Sequence, residues 1–181
     1  MQLFWERGYE STSISDLTKA MDINPPSLYA AFGDKERLFL AAVERYGCKV
    51  GQAPAEILNE GPTARAAVER LLVEAAREFT NRAHPPGCMI VMAATNCSAD
   101  AAHVQAALAS LRRSTESALK ARIERGVADR ELPAGTQTGP LAKFFVTVLE
   151  GMSIQARDGA SRKSLLATAA TAMRAWPQTS S

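Results

Sequence analysis

Apolar positions along this chain recur at three- and four-residue intervals, and strict alternation over five or more residues is hard to find. The opening stretch, Gln2-Leu3-Phe4-Trp5-Glu6-Arg7, reads as the last turns of an amphipathic helix with Trp5 inward and Gly8 as its cap. Met1 leads straight into it, so the first helix is expected to be truncated, with further turns upstream in the natural chain. Ser13 with Asp16 three residues on predicts a capped second helix with Ile14, Leu17 and Met21 on one face. Asp22-Ile23-Asn24 breaks that helix, and Pro25-Pro26 fits only a first helical turn, so Asn24 is the expected cap of a short third helix carrying Leu28, Tyr29 and Phe32. Gly33 ends it, and Asp34 starts a fourth helix holding Leu38, Phe39, Ala42, Val43 and Tyr46.

Residues 51–62 read as a loop with at most a turn of helix at 55–58. Thr63 to Asn81 places Val68, Leu71, Leu72, Ala75, Ala76 and Phe79 on one face, and His84-Pro85-Pro86-Gly87 stops it. Cys88 to Asn96 is almost wholly apolar, which for a helix predicts burial on all sides. A long helix follows from Asp100 to about Arg125 with Val104, Leu108, Leu111, Leu119 and Ile123 inward; after a loop over 131–139, two helices run 140–156 and 162–176. The expectation is an all-α protein of about nine helices, three short and then mostly long.

Composition agrees with this pattern. Alanine is abundant and β-branched and aromatic residues are sparse, which favours helices through low side-chain entropy loss. A net charge of +2 does not advertise a polyanionic partner. Three cysteines, an odd number, without an apolar leader, point to free thiols in a cytoplasmic protein, and no apolar run has the length that a bilayer demands. No glycine-rich phosphate loop, serine-nucleophile motif or paired metal ligands stand out, and His84 and His103 lack clustered acids or thiols. Neither enzyme chemistry nor a cofactor or metal is expected.

The segment with a specific geometry is 13–32: helix, tight turn, short helix, the arrangement whose second member enters the major groove of DNA. Leu28 and Phe32 supply an inner face. Ser27, Ala30 and Ala31 leave the outer one small enough for close backbone approach. One feature weighs against DNA: residues 1–46 hold five cations (Arg7, Lys19, Lys35, Arg37, Arg45) against seven carboxylates (Glu6, Glu10, Asp16, Asp22, Asp34, Glu36, Glu44).

At these residues the chain resembles the TetR family of transcriptional regulators. The resemblance rests on Gly8-Tyr9, Thr12-Ser13-Ile14, Asp16-Leu17, Ile23-Asn24, Leu28-Tyr29, Phe32, Lys35-Glu36 and Leu38-Phe39, unbroken in spacing over nearly all of 2–46. Leu132-Pro133-Ala134-Gly135 before two helices resembles the dimerising end of such regulators. The departures are Asp22 and Pro26, where family members often carry glycine.

The resemblance implies a helix-turn-helix DNA-binding domain over 1–46 and a larger ligand-binding and dimerisation domain over 47–181. It implies that Tyr29 and Lys35 contact phosphates, that Ser13 and Ser15 contact phosphate or nearby bases, and that Pro25, Pro26, Ser27 and Ala30 face base edges. It further implies a homodimer on a palindromic operator, released by a small-molecule effector. Phe79, Met89, Met92, Leu108, Leu111, Phe144 and Met152 are the candidate ligand-binding residues. Phe145, Leu149, Leu165, Ala169, Ala172, Met173 and Trp176 are the candidate dimer interface. Two alternatives stay open: a DNA-binding regulator that responds to thiol oxidation at Cys88 or Cys97, and a helical interaction protein with a degenerate DNA head. Cys88 and Cys97, two and a half turns apart on one intact helix, are not expected to form a bridge.

Overall fold

The computed structural model describes residues 1–49 and 54–178, and within them the architecture is all-helical. Four helices form the N-terminal head: α1 (Gln2–Arg7), α2 (Ile14–Met21), α3 (Pro25–Phe32) and α4 (Lys35–Lys49). The rest is built from α5 (Pro54–Glu60), α6 (Ala64–Phe79), α7 (Met89–Met92), α8 (Ala102–Ala128), α9 (Thr138–Arg157) and α10 (Arg162–Ala172). Short 3-10 turns precede α8 and follow α10.

Helix boundaries in the head follow local chemistry. Ser13 and Asp16 make a reciprocal capping box: the Asp16 N–H donates to Ser13 Oγ at 3.0 Å, and the Ser13 N–H donates to Asp16 Oδ2 at 2.9 Å. Asn24 Oδ1 accepts from the Ser27 N–H at 2.9 Å, with Pro25 and Pro26 in the first turn where a missing N–H costs nothing. Asp34 Oδ1 accepts from the Arg37 N–H at 2.7 Å. Between α2 and α3 the chain reverses through Asp22, held left-handed at φ 53°, a conformation that Asp tolerates better than most side chains.

Two hydrophobic cores result, and the one beneath the head draws on chain from both sides of residue 46. One lies among α5, α6, the C-terminal half of α8, α9 and α10. The other gathers Phe4, Trp5, Leu17, Leu28, Phe39 and Tyr46 from the head, but also Met89, Ala93 and Ala94 of the α7 segment and Val104 and Leu108 of α8. Half-buried Cys88 packs against both. A boundary at residue 46 would fall inside α4, and the head's core is closed only by chain from 89 to 108.

Several sequence expectations are corrected. The segment read as a loop at 51–62 contains a tenth helix, α5, started by Pro54 and anchored by buried Ile57 and Leu58; residues 51–53 lie outside the described residues. The apolar run Cys88–Asn96 is helical only over Met89–Met92. Its carbonyls are engaged elsewhere: Ala93 O accepts from the Tyr9 N–H at 2.7 Å, and Ile90 O accepts from Arg112 Nη1 at 2.8 Å. The distance argument for Cys88 and Cys97 therefore loses its premise, since no single helix joins them. Leu111, expected inward, is exposed; half-buried Arg112 instead reaches across to α7.

Candidate DNA interface and its coupling to the helical body

The predicted DNA-contacting residues of the helix-turn-helix are solvent-accessible. Ser13 and Ser15 at the start of α2, and Pro25, Pro26, Ser27, Tyr29 and Ala30 on α3, are all exposed, while Leu28 beneath them is fully buried. Lys35, half-buried at the start of α4, lies 4.4 Å over the Tyr9 ring, a cation–π contact that fixes the ammonium beside the head. Burial there holds Lys35 below the usual lysine range, and the Glu10 carboxylate works against that.

Carboxylates that weighed against a DNA reading are largely engaged. Asp16 takes the capping bonds and an ion pair with Arg7 at 3.3 Å. Glu36 pairs with His103 Nε2 at 2.6 Å, and Asp34 caps α4 beside Arg37. Glu10 accepts from the Ser98 hydroxyl at 2.7 Å and the Ser98 N–H at 2.9 Å, which hold its carboxyl below the usual range.

These contacts also form a joint that sequence reasoning missed. The turn Gly8-Tyr9-Glu10 docks on the 93–98 segment; Gly8, at φ 82°, lets the chain pass so close that a Cβ there would sit 3.3 Å from Ala93 O. On the far side of α1, Trp5 stacks on His84 at 4.3 Å and meets Tyr46 edge-on at 4.8 Å. Arg157, at the end of α9, donates to Trp5 O at 3.3 Å and also to Glu6 O. Gly87, at φ 80°, lets its loop approach α9 where a Cβ would meet Ser153 O at 2.7 Å, and the Cys88 N–H donates to Ser153 Oγ at 2.8 Å. Each of these contacts spans dozens of residues, so no local pattern announces it.

The structure does not gather the candidate ligand-binding residues around one cavity. Phe79 and Met152 belong to the core of the helical body, Met89 and Leu108 to that of the head, and Met92 is half-buried. Leu111 and Phe144 are exposed at 41% and 40%.

The candidate dimer residues lie inward in the single chain. Phe145, Leu149, Leu165, Ala169, Ala172, Met173 and Trp176 are buried within the chain's own core, where the apolar faces of α9 and α10 meet α6 and each other. A large apolar face is used first inside its own chain. Among the residues that α9 leaves outside, exposed Phe144 and Ile154 and half-buried Val148 and Gly151 share one side of the helix, alongside polar Lys143, Thr147 and Gln155.

The thiols differ sharply in access. Cys48 is exposed, Cys97 is half-buried near Glu10 and Lys35, and Cys88 accepts a 3.3 Å hydrogen bond from the Tyr46 hydroxyl. Burial pushes both the Cys88 and Cys97 thiols up, with the Glu10 carboxylate adding to the effect at Cys97. The thiolate is the reacting form, so iodoacetamide at mildly alkaline pH should label Cys48 first and Cys88 last, with Cys88 labelling rising only at higher pH. Mass spectrometry of timed samples measures the order; Cys88 reacting first would show that its environment favours the thiolate.

A capped reading helix with a small-residue outer face, set on an all-helical body, defines a helix-turn-helix DNA-binding protein. Comparison with known proteins makes that specific. Residues 1–42 match the family described as bacterial regulatory proteins, tetR family, and residues 67–175 match the tetracyclin repressor-like C-terminal domain. The chain is similar to the HTH-type transcriptional repressor ComR of Escherichia coli, 34% identical over 98% of this chain and 85% of that protein. It is also similar to the repressor BdcR of the same organism, 31% identical over 94% of this chain and 81% of that protein. Among solved structures, a cysteine mutant of the TetR family regulator CifR complexed with 26-bp operator DNA superposes with a TM-score of 0.93 at 43% identity, covering 97% of this chain and 92% of that one. The chain belongs to the TetR family and is a DNA-binding transcriptional repressor. No helix among the described residues is long and apolar enough to cross a membrane.

Proposed function

We propose that this repressor acts in the cytoplasm as a homodimer on a palindromic operator and leaves it when a small molecule binds the helical body, with a division near residue 46 between head and body. The observation that carries the DNA reading is the exposed α3 face: Pro25, Pro26, Ser27 and Ala30 outward over buried Leu28. These small groups let the backbone approach base edges and thymine methyls, while Ser13, Ser15, Tyr29 and Lys35 hold the phosphates on either side.

A second copy would dock on the open side of α9, where Phe144, Val148 and Ile154 supply apolar area. Gly151, whose Cβ position has nothing within 4 Å, lets another helix come close. Exposed Ala167 and Ala170 extend that surface onto α10. The dimer would set the two reading helices about 34–36 Å apart, one turn of DNA. The effector would act at the seam between the two cores, where flexible Met89 and Met92 can make room and a shift of the 89–98 segment would pull on Tyr9 and Glu10.

Selection from a pool of randomised duplexes tests this. An enriched palindrome with half-sites about ten base pairs apart is the expected result. Enrichment of a single asymmetric half-site, or of nothing, would refute it.

A further inference from the structure

A groove of about 900 Å³ opens between the end of α6 and the turn joining α9 to α10, within the size range of small-molecule sites. Its walls carry Arg82, His84, Arg157, Arg162, Thr80 and Ser161. We propose that this groove binds a small molecule through an oxyanion, a carboxylate or a phosphate group.

The first argument is charge. Among the described residues none of the three arginines makes an ion pair, although the whole protein carries a net charge of only +2. The partners they do have are neutral. Arg157 donates to the carbonyls of Trp5 and Glu6, and Arg162 donates to Thr80 Oγ1 at 3.1 Å and Arg77 O at 3.3 Å. Glu78, the carboxylate beside the groove, is taken by His84 Nε2 at 2.6 Å. Three arginines line one groove with no carboxylate paired to them, so an anion seated there would gain charge-assisted hydrogen bonds.

Backbone geometry adds to the field. Ser161 caps α10, accepting from the Ser164 N–H at 3.2 Å, so the Arg162 and Lys163 N–H groups of the first turn have no partner within the helix. They start at the residues that line the groove.

The groove also touches the joint with the head. Arg157 holds the last turn of α1, and His84 stacks on Trp5. An anion that draws Arg157 outward competes directly with the α1 carbonyls. That consequence for DNA rests on the effector reading above; the groove's occupation by an anion does not.

The chain has two tryptophans, so its indole N–H spectrum has two signals, one from Trp5 at the joint and one from Trp176 in the other core. Titration with inorganic phosphate, against chloride at matched ionic strength, should move the Trp5 signal saturably and leave Trp176 in place. Arg82→Gln with Arg162→Gln should weaken the phosphate affinity at least about tenfold. Arg82→Gln alone, at an exposed position, keeps the test valid should the double variant fail to fold, and should weaken it measurably. No saturable shift beyond that of chloride, or equal affinity in the variants, overturns the site. Operator DNA producing the same Trp5 shift and displacing phosphate would assign the groove to the DNA backbone and overturn it equally. Phosphate binding with unchanged operator affinity would uphold the site and tell against its role as an effector site.

Discussion

Ala30→Glu should weaken operator binding at least about thirtyfold while leaving the protein folded. Ala30 is exposed on α3, so the longer side chain meets no packed neighbour, and glutamate is a good helix former. The midpoint of thermal unfolding should therefore move by no more than about 2 °C. On DNA the same carboxylate would enter a groove walled by phosphates and displace a close apolar approach. A lost base contact costs about 1–3 kcal/mol, and the proposed dimer would suffer it twice, so affinity should fall between roughly thirtyfold and twenty-thousandfold. Leu28→Ala makes the contrast. Two residues away but fully buried, it should cost about 2–5 kcal/mol of stability through the cavity it leaves. Fluorescence anisotropy and thermal melts on the two variants separate the reading face from the supporting one; unchanged operator affinity for Ala30→Glu would remove α3 from the groove.

The second large effect is expected on α9. Phe144→Asp together with Ile154→Asp should turn a dimer into a monomer at micromolar concentration, seen by equilibrium sedimentation, and should weaken operator binding in step. Fully burying such an apolar side chain contributes about 1.5–3 kcal/mol; with 40% and 45% of Phe144 and Ile154 still exposed, the four side chains of a symmetric interface would add roughly 2.5–5 kcal/mol. Ile154→Asp should shift unfolding little, whereas Phe144→Asp also gives up an edge-on contact with Phe145, ring centroids 5.2 Å apart, and should lower stability modestly. Trp176→Ala behaves in the opposite way. Trp176 packs within the core near Phe145, with ring centroids 5.7 Å apart, and its truncation should destabilise the protomer by about 3–5 kcal/mol before it reaches any interface. A dimer that survives both aspartates would move the interface away from α9.

What could be read from sequence was whatever local rules fix. Ser13 with Asp16, Asn24 before two prolines, and Gly33-Asp34 each determine a helix end within four residues, and those ends lie where the pattern put them. Where tertiary contacts decide, local pattern misleads. The apolar run from Cys88 has the composition of a buried helix, yet Tyr9 and Arg112 engage its carbonyls and the helix stops at Met92. Pro54 is a legible start signal for α5, which covers the turn expected at 55–58 and runs on to Glu60. The periodicity of α10 showed which residues are apolar, but not whether Leu165 and Ala169 would meet α6 of the same chain or a second copy. Hydrophobic spacing identifies a face and is silent about its partner.

The interleaved core has a practical corollary for hybrid regulators, in which one protein's reading head is grafted onto another's sensor. Cutting at residue 46 would strip Met89, Ala93, Val104 and Leu108 from beneath Phe4, Trp5 and Phe39, leaving aromatic rings facing water and a turn at Gly8-Tyr9 with nothing to rest on. A transplant that keeps its head folded has to carry the 88–108 stretch along with it.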